Sequence, residues 1–166
     1  KKNNSMEKHK MENMSMAHKP QYSKLIWMTV ISFIAMFILM YSMVDKFANV
    51  FINVNQFYMA GLMTAPMIII EMLIMGGMYM NKKLNLIIIF ISAVVLVACF
   101  FFIRVQTAVS DRQFLKSMIP HHAAALLMVN GAKISDPEIK KLADDIISSQ
   151  QKEIDFMKAK LKQMEK

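Results

Sequence analysis

The stretch LIWMTVISFIAMFILMYSMV, residues 25–44, decides the fold. It runs its whole length without a charge, and a helix of that length rises roughly 30 Å, the thickness of a hydrocarbon core. Two further stretches repeat the pattern: FYMAGLMTAPMIIIEMLIMGGMYM over 57–80 and LNLIIIFISAVVLVACFFFI over 84–103. The reading is three transmembrane helices, spans 25–44, 57–80 and 84–103, in a membrane region 25–104. Tyr22 and Trp27 at one end of the first span, and Tyr41 near the other, suit interfacial anchoring. Its length, and the lack of a small-residue cleavage site after it, set it apart from a signal peptide.

Working outward, residues 1–24 are polar and read as a flexible tail. The chain opens on Lys1 rather than Met, so its start is expected upstream or processed. Between the first two spans, Phe47, Val50, Phe51, Val54 and Phe57 recur at helical spacing, which predicts a short amphipathic helix along the interface. Asn81-Lys82-Lys83 reads as a tight turn. Residues 105–166 form a helical domain. Ser110 or Asp111 caps a helix beginning at Arg112. Pro120 kinks that helix or starts a new one. It runs through Val129, and Asn130-Gly131 ends it. Asp136 caps the last helix, with Pro137 at its first position and Glu138 near the positive dipole end, and that helix continues to about Gln163. A hairpin this small buries one face only. It is expected to complete a four-helix bundle by forming a homodimer or higher homo-oligomer. The fold class is all-α: three transmembrane helices followed by an extramembrane helical hairpin.

The chain is 55% hydrophobic with a net charge of +8, and its basic residues sit mainly in the first 24 and the last 55 residues. No basic run interleaves with aromatics, so the charge reads as membrane flanking and excludes nucleic-acid binding. Lys1, Lys2, Lys8, Lys10, Lys19 and Lys24, with Lys82 and Lys83, outnumber Lys46, Arg104, Arg112 and Lys116 on the other side. This predicts a cytoplasmic N-terminus and an extracytoplasmic C-terminal domain. Cys99 is alone, which excludes an intrachain disulfide and a Cys-based zinc site. Nineteen Met stand against two Arg. Either an AT-rich genome supplies them, or they form a thioether-rich surface for Cu(I).

The residues that could do chemistry begin with Met118-Ile119-Pro120-His121-His122, followed by Met128. His121, Ala125 and Met128 share one helical face. On the last helix Gln150, Glu153 and Met157 share another, extended by Ile146, Leu161 and Met164. An antiparallel hairpin would bring imidazole, thioether and carboxylate together. Two readings stay open. The group holds copper, with imidazole and thioether favouring Cu(I) over Cu(II), or His121 and Glu153 form a buried hydrogen-bonded pair with Met as packing. In the tail, Met6, His9, Met11, Met14, Met16 and His18 are a secondary soft-metal set or an ordinary solvated segment. In the second span Met59, Met63, Met67 and Met75 form a helical stripe, with Glu71 in the gap and Pro66 nearby. It is an intramembrane path for Cu(I), facing Met36, Met40 and Met43, or packing around a protonated Glu71.

The pattern Asp111-x-x-Phe114-x-x-x-Met118-Ile119-Pro120-His121-His122, then Met128, Ala143, Ile146 and Gln150-x-x-Glu153-Ile154-x-x-Met157, resembles the bacterial family called domain of unknown function 305. The likeness covers the chain from Asp111 onward, with Ala123 where many members have a small polar residue or Gln. It implies a ferritin-like helical architecture and an association with copper binding and copper tolerance outside the cytoplasm. It implies His121, His122, Met118, Met128 and Met157 as metal-ligand candidates, Glu153 as a ligand or supporting partner, and Asp111 and Gln150 as supporting positions. The expectation is a multi-pass protein of the bacterial cytoplasmic membrane, in contact with the lipid bilayer. It would capture, buffer or hand over copper at the extracytoplasmic face, to a copper transporter or chaperone, without catalytic residues. The rivals are a copper transport component using the Glu71 stripe and a ferritin-like metal oxidase. Against the oxidase, the domain has no Glu-x-x-His and only Glu138, Glu153 and Glu165.

Overall fold

The computed structural model describes the backbone of residues 2–165 and the side chains of residues 21–165. Its helices are α1 (Lys2–Leu39), α2 (Val54–Ile74), α3 (Lys82–Arg104), α4 (Asp111–Gly131) and α5 (Pro137–Gln163), with 3-10 turns at Met40–Met43, Phe47–Asn49 and Gly76–Met78. No strand occurs among the described residues, so the chain is all-α. Three helical segments, Gln21–Met43, Val54–Ile74 and Lys82–Arg104, are long and apolar enough to cross a membrane. Residues 21–24 run into the first of them as unbroken helix. The side chains of the expected tail, including Met6, His9, Met11, Met14, Met16 and His18, lie outside the described residues.

Three sequence expectations shift. The second span ends at Ile74 rather than Met80, because Gly76 and Gly77 follow and glycine is a poor helix former. The third begins at Lys82. The Asn81 side chain accepts the Leu84 N–H at 3.1 Å, an N-cap bond that draws Lys82 and Lys83 into the helix. The amphipathic helix expected over 45–56 does not form. Phe47–Asn49 makes a single turn with extended backbone at Lys46 and Val50, and helix resumes only where α2 begins at Val54. Side chains take the partners a helix would use. The Asn53 amide donates to the Phe51 carbonyl at 3.0 Å, while its oxygen accepts the Gln56 N–H at 2.9 Å and so caps α2. The Tyr41 hydroxyl also donates to the Phe51 carbonyl, at 2.9 Å.

By packing, the chain falls into two units, Lys1–Met36 with Ala60–Phe101, and Phe37–Met59 with Phe102–Lys166. In the first, Leu25, Met72 and Tyr79 form a core supported by Tyr22, Met28, Ile68, Ile88 and Ile89. The enclosed face of α2 is built of small residues: Ala60, Gly61, Thr64 and Ala65 are buried. Small residues let membrane helices approach closely. A Cβ at Gly61 would stand 2.9 Å from the Cys99 Sγ. Only 6% of the first and third span windows is buried inside the protein, against 28% of the second. In water such exposed apolar surface would be untenable, and in a bilayer it is the lipid-facing surface.

The second unit is the α4/α5 hairpin with residues 37–59 packed on it. Leu115, Ile119, Ala123 and Leu126 of α4 meet Ile147, Ile154, Met157 and Leu161 of α5, with Val44 and Phe51 covering the same core. These positions recur at steps of three, four or seven residues, the spacing of a helix-pair seam. Ile119 and Ile154 are the largest fully buried side chains, and burying each stabilises the hairpin by about 1.5–3 kcal/mol. Pro120 does not break α4. Its missing N–H leaves the Lys116 carbonyl without a helical donor, and the Asn53 amide approaches that carbonyl at 3.5 Å. The α3–α4 joint turns at Gln106, whose φ is 52°, while the Thr107 N–H reaches back to the Phe102 carbonyl at 3.0 Å. That is a left-handed helix cap. Ser110 occupies the N-cap of α4 without a side-chain bond. Asp136 caps α5 fully, accepting the Glu138 and Ile139 N–H groups at 2.9 and 3.0 Å.

Candidate functional site

Adjacent residues on a helix point about 100° apart, so α4 sends its two histidines to different places. Leu115, Ile119 and Leu126 fix the inward face, and His122 falls on it at 8% exposure. Its Nδ1 lies 2.8 Å from the Met118 carbonyl and its Nε2 lies 2.7 Å from Glu153 Oε2. A carbonyl only accepts, so Nδ1 carries a hydrogen, and one further proton sits between Nε2 and the carboxylate. The histidine–glutamate pair expected at His121 therefore exists one residue along, at His122. The apolar stripe, not the spacing of the candidate ligands, phases the helix. Both ring nitrogens of His122 are engaged by the protein.

His121 points outward. It lines a cavity of about 410 Å³ together with Met118 of its own helix, Met40 and Met43 of the 3-10 turn after α1, and Met59 in α2. Asn53, Asn55 and Gln56 supply the cavity's amides, and no charged side chain lines it. All of these residues belong to the second unit. The structure thus gathers two of the expected ligands, Met118 and His121. The others lie elsewhere. Met157 is packed in the hairpin core at 6% exposure, and Met128 is more than half exposed, outside the cavity lining. Glu153 is held by His122. Asp111 is the exposed first residue of α4, and Gln150 is half-buried on α5. Among the described residues no three or more His, Cys, Asp or Glu side chains gather as a metal-holding group. The cavity's donors are thioethers with a single imidazole. What the sequence did not signal is that Met40 and Met43, expected to face the second-span stripe, line one cavity with Met118 and His121.

Met59, Met63 and Met67 of the second-span stripe lie along α2, and Met75 follows its last residue. Met59 lines the cavity of the second unit, and Met63, Met67 and Met75 fall in the first. Met63 and Met75 are exposed, and the buried methionine of α2 is Met72. Glu71 accepts a hydrogen bond from the Tyr79 hydroxyl at 3.4 Å. The Tyr79 ring lies 5.2 Å from that of Tyr22. The Tyr22 hydroxyl donates to Asn85 at 2.8 Å, and the Asn85 amide returns to the Tyr79 carbonyl at 2.8 Å. Glu71 is therefore one member of a polar network with Tyr79 before α3, Asn85 in the first turn of α3 and Tyr22 of α1.

Residues 103–166 match the family described as Domain of unknown function (DUF305). The chain is also similar to an uncharacterized protein, L153, of Acanthamoeba polyphaga mimivirus: 36% identical over 140 residues, a match covering 81% of this chain and 89% of that protein. A match of that length cannot be contained in residues 103–166, so the shared sequence takes in part of the membrane-spanning region as well. No solved structure matches the chain. With the domain matched by its own family and most of the chain shared with this relative, the protein belongs to the DUF305 family.

Proposed function

We propose that this is a membrane-anchored copper-binding protein that captures Cu(I) and buffers it or hands it to a partner, a copper transporter or chaperone. The observation that carries the reading is the meeting of Met118 and His121 at one cavity, on a wall free of charged side chains. Thioether and imidazole are donors that suit Cu(I), whereas hard divalent cations need carboxylates. His121 is the histidine available to the ion, because His122 has both nitrogens engaged. Copper is cargo here and no bond-making chemistry is asked of the chain. The distribution of Lys and Arg supports a cytoplasmic N-terminus in a multi-pass cytoplasmic membrane, with α4 and α5 outside. The exposed apolar residues Leu142 and Phe156 of α5 and Leu127 of α4 support a homodimer completing a helical bundle.

The test is a titration of the full chain in nanodiscs with Cu(I) against a chromophoric Cu(I) chelator. Wild-type protein should compete for the ion. The Met118→Leu, His121→Ala double variant should lose roughly 10–100-fold in affinity. Wild-type protein that leaves the chelator fully loaded would remove the proposal.

A further inference from the structure

We infer that the copper site is not contained in the DUF305 domain but is completed by the ends of the first two spans, through Met40, Met43 and Met59. This rests on the copper reading above and assigns its ligand set. Five soft donors line one cavity: four thioethers, from Met40, Met43, Met59 and Met118, and the imidazole of His121. They come from three separate parts of the chain, the turn after α1, the start of α2 and the middle of α4.

Three observations separate this group from ordinary methionine packing. First, Met40, Met43, Met59 and Met118 line one open cavity together with an imidazole, whereas Met72 and Met157 are closed off at 3% and 6% exposure; exposure by itself does not mark a donor, since Met63 is 45% exposed. Second, the wall carries no charge. A divalent ion would stay uncompensated there, while a monovalent soft ion needs only polarizable donors. Third, the surrounding backbone is held in place by bonds that leave the sulfurs free. Asn53 bridges to the Phe51 and Lys116 carbonyls. The Val54 N–H donates to Gln113 Oε1 at 3.1 Å. His122 Nδ1 holds the Met118 carbonyl. Residues 37–59 are thus fixed on α4 beside Met118 and His121. A chain beginning at the DUF305 domain would keep two of the five donors.

The experiment uses full-length protein in nanodiscs with Cu(I) as the probe. The Met40→Leu, Met43→Leu, Met59→Leu variant exchanges thioethers for side chains of similar volume, which cores tolerate well. Its Cu(I) affinity should fall roughly 10–100-fold. A control variant, Met63→Leu, Met67→Leu, Met75→Leu, should bind as wild type does. X-ray absorption of the Cu(I)-loaded wild type should show sulfur as the dominant scatterer bonded to copper, independent of any variant. Unchanged affinity in the first variant, with the roughly 10–100-fold loss in the Met118→Leu, His121→Ala variant, would overturn the composite site and leave copper binding standing. Nitrogen- or oxygen-dominated scattering in the wild type would also overturn it. Failure of the wild type to bind Cu(I) would remove both readings.

Discussion

What His122 can do depends on what its two ring nitrogens would have to give up. Turning either toward a metal would give up the Met118 carbonyl or the exposed Glu153 carboxylate that the buried His122 ring holds, and a buried polar group left without a partner destabilises by about 1–3 kcal/mol. Glu153→Leu is therefore expected to lower the stability of the full chain by about that amount. Glu153→Gln, which still offers an acceptor and a donor to Nε2, should retain most of it, and thermal unfolding in nanodiscs reads the difference. A loss in Glu153→Gln as large as in Glu153→Leu would show that the pair matters by charge alone. Much of this site was legible in the sequence. Leu115, Ile119 and Leu126 phase α4 so that His122 turns inward. Phasing it on His121, Ala125 and Met128 rotates the helix by one residue, about 100°, and exchanges the two histidines. The same shift on α5 replaces Ile147 and Ile154 with Ile146 and Glu153 as the inward residues. Apolar burial outweighs the preferences of candidate ligands, because the core residues have no other place to go.

At the scale of the element, helix identity followed from hydropathy and caps. Uncharged runs marked the spans, and Asp136 with Pro137 marked the start of α5. The connection over 45–56 was not legible, because its conformation is set by partners distant in sequence. Tyr41 reaches Phe51, Asn53 reaches Lys116, and Gln113 accepts the Val54 N–H. Helical spacing of Phe47, Val50 and Phe51 carries no trace of those bonds, and Phe47 ends up 92% exposed. The contact of α2 with α3 is set by the absence of a side chain. Gly61→Ala would place its Cβ 2.9 Å from Cys99 Sγ, and such overpacking destabilises by about 1–3 kcal/mol. Cys99→Ala should rescue that variant, since it removes the atom that is struck. The midpoints of the single and double variants measure the coupling, and additive effects would place the strain elsewhere.

At the scale of the whole molecule, the membrane unit and the hairpin unit each draw on two separated stretches of chain. The hairpin core is covered by Val44 and Phe51, which lie before the second span. A chain beginning at residue 102 should therefore show faster amide hydrogen exchange across α4, most of all near Lys116 and Ile119, than the full chain does. Equal protection would mean that residues 37–59 add nothing to the hairpin. That discontinuity also sets a timetable for synthesis. Residues 44–53, which join the first two spans, emerge from the ribosome before the second and third spans and long before α4, and elongation over the intervening chain takes on the order of seconds. During that interval the buried Asn49 and Asn53 and the methionines beside them have no α4 to rest on. The insertion machinery must deliver two more hydrophobic segments to the bilayer before this loop meets its lid. Errors in biogenesis are then expected to strand the loop rather than any single span.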